Sequence, residues 1–87
     1  MDQAAQKQLP AQNPAEIGEI VRQARKKAGL RQAQAAALCG VGTRFLSDLE
    51  NGKPTIHLGK VLHVLKGFGL RVIIKRKEFG DDNRRNS

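Results

Sequence analysis

The sequence of 87 residues contains no tryptophan and no tyrosine, and its three aromatic residues are all phenylalanines. Its core must therefore consist mainly of aliphatic side chains. A single cysteine, Cys39, excludes an internal disulfide framework and a cysteine-rich zinc site. No apolar run approaches the ~20 residues that span a bilayer, and residues 1–16 contain no apolar segment of the kind found in signal peptides. We therefore expect a cytoplasmic protein without a membrane span.

Acidic residues are scarce relative to basic ones: 8 Asp and Glu stand against 16 Lys and Arg, which gives a net charge of +8. This excess favours a polyanionic partner, with nucleic acid as the first interpretation and an anionic membrane surface as the second. The membrane alternative is the weaker one, because the apolar helical faces lack the aromatic anchors of an interfacial helix and are needed for the core.

The composition changes along the chain and predicts its organisation. Residues 1–14 are rich in Gln and Ala and bury too little apolar surface to offset the entropy of ordering, so they read as a flexible arm. The whole chain is short enough to form one small domain. The predicted division is a flexible arm at 1–14, a helical domain at 15–70, a strand at 71–79 and a flexible tail at 80–87.

Apolar residues recur at helical spacing in four segments of the chain. The predicted helices span residues 15–28, 32–38, 43–50 and 56–68. Gly29, Gly40 and Gly69 follow three of these segments, at positions where glycine commonly ends a helix. Thr55 is expected to cap the last helix.

Residues 70–77 have a different period, in which apolar and basic residues partly alternate and β-branched residues are common, as in a strand. Nothing else in the sequence resembles a strand that it can pair with. The simplest partner is the same strand of a second chain, since unpaired backbone groups are costly. The predicted dimerisation residues are Leu70, Val72, Ile73 and Ile74. The basic residues of this segment, Arg71, Lys75, Arg76 and Lys77, either keep the strand soluble or contact a partner.

Residues 32–51 have the pattern of two short helices joined by a tight turn, which is typical of a helix-turn-helix motif with the second helix reading DNA. Ala36 is small where the two helices cross, and Gly40 is the residue type that a turn with positive φ requires. The interface between the helices must be filled by apolar side chains, which are those of Cys39, Val41, Leu46 and Leu49. These independent requirements are met within about twenty residues.

The segment AGLRQAQAAALCGVGTRFLSDLENGKP resembles the Xre/phage-repressor helix-turn-helix family, and its continuation through TIHLGKVLHVLKGFGL resembles the HipB-type antitoxins. The resemblance covers residues 16–77. It implies a mainly α, lambda-repressor-like bundle of four to five helices, with a C-terminal strand that pairs across a homodimer.

The same resemblance implies a function. Proteins of this branch are sequence-specific repressors that bind a palindromic double-stranded operator, control their own type II toxin–antitoxin operon and bind a HipA-type serine/threonine kinase toxin. The alternative is a stand-alone Xre-type transcriptional regulator without a toxin partner. Either protein would be found in the bacterial cytoplasm, on the nucleoid when it is bound to DNA.

The family pattern also implies roles for individual residues. Gln32 and Lys53 would contact phosphates, and Arg25 and Glu50 would form a partly buried structural ion pair. The residues that would face the major groove are Thr43, Arg44, Ser47 and Asp48. Gly42 departs from the usual Ser or Thr at the start of the reading helix.

Two of these residues allow more specific expectations. Arg44 is expected to pair bidentately with guanine, a contact that discriminates by ~1–3 kcal/mol. Asp48 is unusual, because a carboxylate near phosphates is repelled; it either accepts a hydrogen bond from cytosine N4 or holds Arg44 in place. Phe45 either packs against the last helix or the dimer seam, or touches a thymine methyl group.

No pattern in the sequence predicts an enzyme, a metal site or a cofactor. There is no Ser–His–Asp set and no glycine-rich phosphate loop, since the glycines at 67 and 69 lie at the end of a helix and not at its start. His57 and His63 are six residues apart, which does not place them on one helical face. They are interpreted as structural or solvated, and Cys39 as a core residue.

Overall fold

The computed structural model describes residues 8–77 and contains four helices in this part of the chain. They are α1 (Pro14–Lys27), α2 (Gln32–Cys39), α3 (Thr43–Glu50) and α4 (Leu58–Gly67). α1 packs against α3, and α2 packs against both α3 and α4. The mainly helical class predicted from the sequence is confirmed. No helix among the described residues is long and apolar enough to cross a membrane.

The start of α1 is fixed by a side-chain cap. Asn13 precedes the helix, and its Oδ1 atom accepts a hydrogen bond from the backbone N–H of Glu16 at 2.8 Å. Pro14 then occupies the first helical position, where its missing N–H and restricted φ are tolerated. α1 therefore begins one residue before its predicted start.

Gly40 makes the turn that joins α2 to α3. Its φ of 71° lies in the left-handed region that favours glycine. The N–H of Gly40 donates to the carbonyl oxygen of Ala37 at 3.2 Å, and the N–H of Val41 donates to that of Ala36 at 2.9 Å. These two bonds close the end of α2, and α3 follows with its predicted bounds.

The start of α4 differs from the prediction. The helix begins at Leu58, two residues after the predicted start, and its N-cap is His57, not Thr55. The Nδ1 atom of His57 accepts a hydrogen bond from the backbone N–H of Lys60 at 3.2 Å. The imidazole ring thus supplies the acceptor that the first turn of a helix needs, so the chain before His57 lies outside the helix.

The core lies between the four helices and is aliphatic, as the composition predicts. Its largest fully buried side chains are those of Leu46, Val21 and Val64. Gly18 lies where α1 passes the end of α3. A Cβ atom at this position would overlap the carbonyl oxygen of Leu49 and lie 2.8 Å from that of Glu50. Glycine is therefore required for the close approach of these two helices.

Residues 70–77 follow α4 without helix or strand pairing within the described chain. The side chains of Val72 and Ile73 are 54% and 55% exposed, and that of Ile74 is 92% exposed. The predicted strand requires a second chain, so its pairing across a homodimer stays a prediction. Residues 78 and 79 of this strand, the tail at 80–87 and residues 1–7 of the arm lie outside the described residues.

A buried ion pair connects α1 to the end of α3. The Nε atom of Arg25 donates to Glu50 Oε2 at 2.7 Å, and its Nη2 atom donates to Oε1 at 3.0 Å. The Nη1 atom donates to the carbonyl oxygen of Leu30 at 2.8 Å, and the Nε2 atom of Gln32 donates to Glu50 Oε1 at 3.0 Å. The side chains of Arg25 and Glu50 are only 12% and 3% exposed. One carboxylate therefore joins α1, the start of α2 and the end of α3.

The surroundings of Glu50 hold it in the charged form. Burial raises the pKa of its carboxyl, but the hydrogen bonds from Arg25 and Gln32 and the charges of Arg25 and Arg22 lower it by more, so the pKa lies below its ordinary value of 4.5. The hydrogen bond to Glu50 is also the main cause that raises the pKa of Arg25. Because the pKa of Glu50 is depressed on folding, its contribution to stability is present above about pH 4.5 and is lost as the pH falls through the folded-state value.

We predict that Glu50→Gln lowers the free energy of unfolding at neutral pH by ~3–5 kcal/mol, because it leaves the Arg25 guanidinium buried without its counter-charge. Chemical denaturation monitored by circular dichroism measures this change. The control is the double variant Arg25→Leu with Glu50→Leu, which removes both charges and should cost less than Glu50→Gln alone. The double variant should also lose less stability than the wild type between pH 5 and pH 3. A double variant that is at least as unstable as Glu50→Gln would contradict the account.

Candidate nucleic-acid interface

α3 separates buried from outward residues along its length. Leu46, Leu49 and Glu50 are buried. The residues turned away from the core are Thr43 and Arg44, which are exposed, and Ser47 and Asp48, which are half-buried. The four residues that the family pattern assigned to the major groove thus share the outward face of one helix.

Two basic side chains, one on α3 and one in the turn after it, lie close to a carboxylate on the outward face of α3. The Nε atom of Arg44 lies 3.8 Å from Asp48 Oδ1, and the Nζ atom of Lys53 lies 3.6 Å from Asp48 Oδ2. The side chain of Arg44 is 90% exposed, whereas that of Asp48 is 29% exposed. Lys53 reaches Asp48 because the turn after α3 returns the chain toward it: the N–H of Lys53 donates to the carbonyl oxygen of Asp48 at 3.0 Å.

Gln32 belongs to a different group of contacts. Its side-chain amide donates to Glu50 and is half-buried, so it lies within the ion-pair cluster and apart from the Arg44, Asp48 and Lys53 side chains. What the start of α2 offers outward is its backbone N–H groups, since the first N–H groups of a helix have no intrahelical acceptor. A helix N-terminus of this kind favours an anion such as phosphate.

Phe45 connects α3 to α4. Its ring is half-buried and packs against the core, and the Nζ atom of Lys60 in α4 lies 5.7 Å from the ring centroid. The sequence interpretation left open what Phe45 contacts and did not pair it with Lys60. The two residues are fifteen positions apart, and no helical or strand periodicity relates them. Lys60 thereby places a further positive charge beside α3.

Among residues 8–77, no group of three or more His, Cys, Asp and Glu side chains could hold a metal ion. Cys39 is buried beside Gly67, and burial raises the pKa of its thiol. An open groove of about 380 Å³ lies beside Cys39 and Phe68, with Lys27 at one side, and its lining is mainly apolar. The charged surface around α3 is therefore the best candidate for function.

Comparison with known sequences assigns the family. Residues 16–72 match the family described as "Helix-turn-helix domain". A protein of Sinorhizobium fredii named "Uncharacterized HTH-type transcriptional regulator y4mF" is 52% identical over 61 residues, which are 70% of this chain and 80% of that protein.

Comparison with solved structures assigns the fold. A HipB chain in a complex with an O2 20mer superposes with a TM-score of 0.72 and 18% identity, covering 83% of this chain and 100% of that chain. A chain of the HipA–HipB–O2–O3 complex gives a TM-score of 0.70 and 17% identity, covering 79% and 97% of the two chains. The resemblance found in the sequence is confirmed: this chain belongs to the helix-turn-helix family of transcriptional regulators and has a HipB-like fold.

Proposed function

We propose that this regulator is a sequence-specific repressor that acts as the HipB-like antitoxin of a type II toxin–antitoxin operon. It binds a palindromic operator as a homodimer, represses its own operon and binds a HipA-type serine/threonine kinase toxin. The observation that carries the DNA-binding part is the outward face of α3, where Arg44 is 90% exposed and is fixed on a helix whose opposite face is buried. The net charge of +8 supports the same partner.

We assign base recognition to α3, and phosphate contacts to Lys53 and the start of α2. In this proposal Thr43, Arg44 and Ser47 enter the major groove, and Arg44 pairs with guanine through its terminal nitrogens. Lys53 contacts a phosphate at the end of α3. Gln32 contacts a phosphate through its backbone N–H at the start of α2, because its side chain is held by Glu50.

We predict that Arg44→Ala weakens binding to the preferred duplex by ~1–3 kcal/mol, because it removes a base contact. Binding to random DNA should be weakened by less. The preferred duplex is the one that the wild-type protein selects from a pool of randomised 20-base-pair DNA, and fluorescence anisotropy measures both affinities.

Lys66→Ala is the matched control, because it removes one positive charge from the exposed last turn of α4, away from the reading helix. Lys66→Ala should lower the affinity for both duplexes slightly and equally. If Arg44→Ala also lowers the affinity for both duplexes equally, Arg44 is a phosphate contact and its assignment to base reading is wrong.

The homodimer is assigned to residues 70–77. This segment carries the exposed apolar side chains of Val72, Ile73 and Ile74. It also borders an open groove of about 880 Å³ that is lined in part by Leu9, Ile20 and Leu70. Exposed apolar segments rich in β-branched residues can pair with another strand. Two copies paired in this way would hold two reading helices for half-sites one helical turn apart.

We predict that a chain ending at Leu70 is monomeric, whereas a chain ending at Lys77 remains dimeric, because only the longer one retains the pairing segment. Light scattering gives the mass, and circular dichroism shows whether the four helices persist in both chains. The monomer should also bind the selected duplex much more weakly. A dimer for the shorter chain would place the dimer seam elsewhere, for example on the exposed apolar side chains of α4.

Binding of a kinase toxin is what separates the antitoxin from the alternative, a stand-alone Xre-type regulator. We predict that the protein co-purifies with a HipA-type kinase encoded by the adjacent gene, and that Arg44→Ala retains this complex because the toxin and DNA bind different surfaces. Gel filtration at micromolar concentration measures the complex. If no kinase-like gene is adjacent, or if the two proteins migrate separately, the stand-alone regulator is the better description.

A further inference from the structure

Asp48 is an acidic side chain on the face that the proposed function assigns to DNA, in a chain whose other outward groups there are neutral or basic. It is not a core residue, since its side chain is 29% exposed. Exposed ion pairs contribute little to stability, so the contacts of Asp48 with Arg44 and Lys53 are not needed to hold the fold together. A carboxylate at this place also repels the phosphates of any DNA that binds α3.

The geometry of the cluster favours a role in positioning. Asp48 Oδ1 faces the Nε atom of Arg44 at 3.8 Å, and Oδ2 faces Lys53 at 3.6 Å. The carboxylate thus contacts the guanidinium at Nε, whereas a bidentate contact with guanine would use the two terminal nitrogens of Arg44. Arg44 is four residues before Asp48, the spacing at which side chains meet on a helix. Lys53 comes from the turn after α3, which makes Asp48 the link between the helix and its turn.

We propose that Asp48 is a positioning residue for DNA specificity, an inference that rests on the proposed binding of DNA through α3. It orients Arg44 for guanine by holding the Nε side of its guanidinium. In the free protein Asp48 also pairs with both basic side chains. On DNA without the correct bases, Arg44 and Lys53 must give up this pairing to contact phosphates, so these contacts contribute less to the affinity. Asp48 therefore lowers binding to random DNA and increases discrimination at the position that Arg44 reads.

The test compares Asp48→Asn with the wild type on two probes: the 20-base-pair duplex that the wild type selects from a randomised pool, and poly(dA-dT), which contains no guanine. Asparagine has nearly the same size as aspartate and removes the charge. We expect the affinity for poly(dA-dT) to rise by about 3- to 10-fold per half-site, the effect of one unit charge ~5 Å from a phosphate in water. The affinity for the selected duplex should change by less, so the ratio of the two affinities falls. Discrimination against a duplex with the Arg44-paired guanine replaced by adenine should also fall.

Two further variants separate positioning from net charge. Glu19→Gln removes one negative charge from α1, where the carboxylate of Glu19 accepts a hydrogen bond from Gln23 at 2.7 Å. This variant should leave the ratio of the two affinities unchanged. Asp48→Glu keeps the charge and should keep the low affinity for poly(dA-dT). Thermal unfolding of all three variants should match the wild type, since none of them alters the core.

Two results would overturn the inference. If Asp48→Asn loses affinity for the selected duplex while that for poly(dA-dT) is unchanged, Asp48 reads a base directly. If Asp48→Asn and Glu19→Gln have the same effect, only net charge matters. A wild-type protein that selects no sequence from the pool would instead contradict the proposed function itself.

Discussion

The buried contact between Arg25 and Glu50 is the constraint on which the arrangement of the helices depends. Glu50 is the last residue of α3 and is 3% exposed, so its charge is tolerated only because Arg25 binds both oxygens and Gln32 donates to one of them. These donors come from α1 and from the start of α2. The ion pair therefore fixes the end of the reading helix relative to both of its neighbours.

Small residues allow the helices to pack closely enough for the Arg25–Glu50 contact to form. Gly18 allows α1 to approach the carbonyl groups of Leu49 and Glu50, and the fully buried Ala35 and Ala36 give α2 a small contact surface within the core. With the C-terminal end of α3 held and Leu46 buried, the backbone of α3 is fixed against α1 and α2. Such pre-organisation reduces the entropy that is lost on binding, which suits a helix that reads base edges.

The helices could be predicted because their apolar spacing, their glycines and the small residues of the turn all agree. The N-cap of α4 at His57 could not be predicted, because histidine is not among the usual capping residues. Its role depends on how the loop before α4 orients the imidazole ring. Arg44 and Asp48 are predictable neighbours at a spacing of four, but the approach of Lys53 depends on the turn after Glu50. Phe45 and Lys60 are far apart in sequence, and only the packing of α4 brings them together. Residues 70–77 have the composition of a strand, and their pairing with a second chain stays a prediction.

The central claim is that DNA binds the outward face of α3 and the start of α2. The most direct measurement is a titration of ¹⁵N-labelled protein with its selected duplex, followed residue by residue in ¹H–¹⁵N correlation spectra. The account predicts that the largest changes fall on the amides of residues 31–34, on those of residues 42–48 and on that of Lys53, with small changes in the middle of α1. If the largest changes instead surround the apolar groove beside Cys39 and Phe68, or are spread evenly over the basic surface, the account is contradicted.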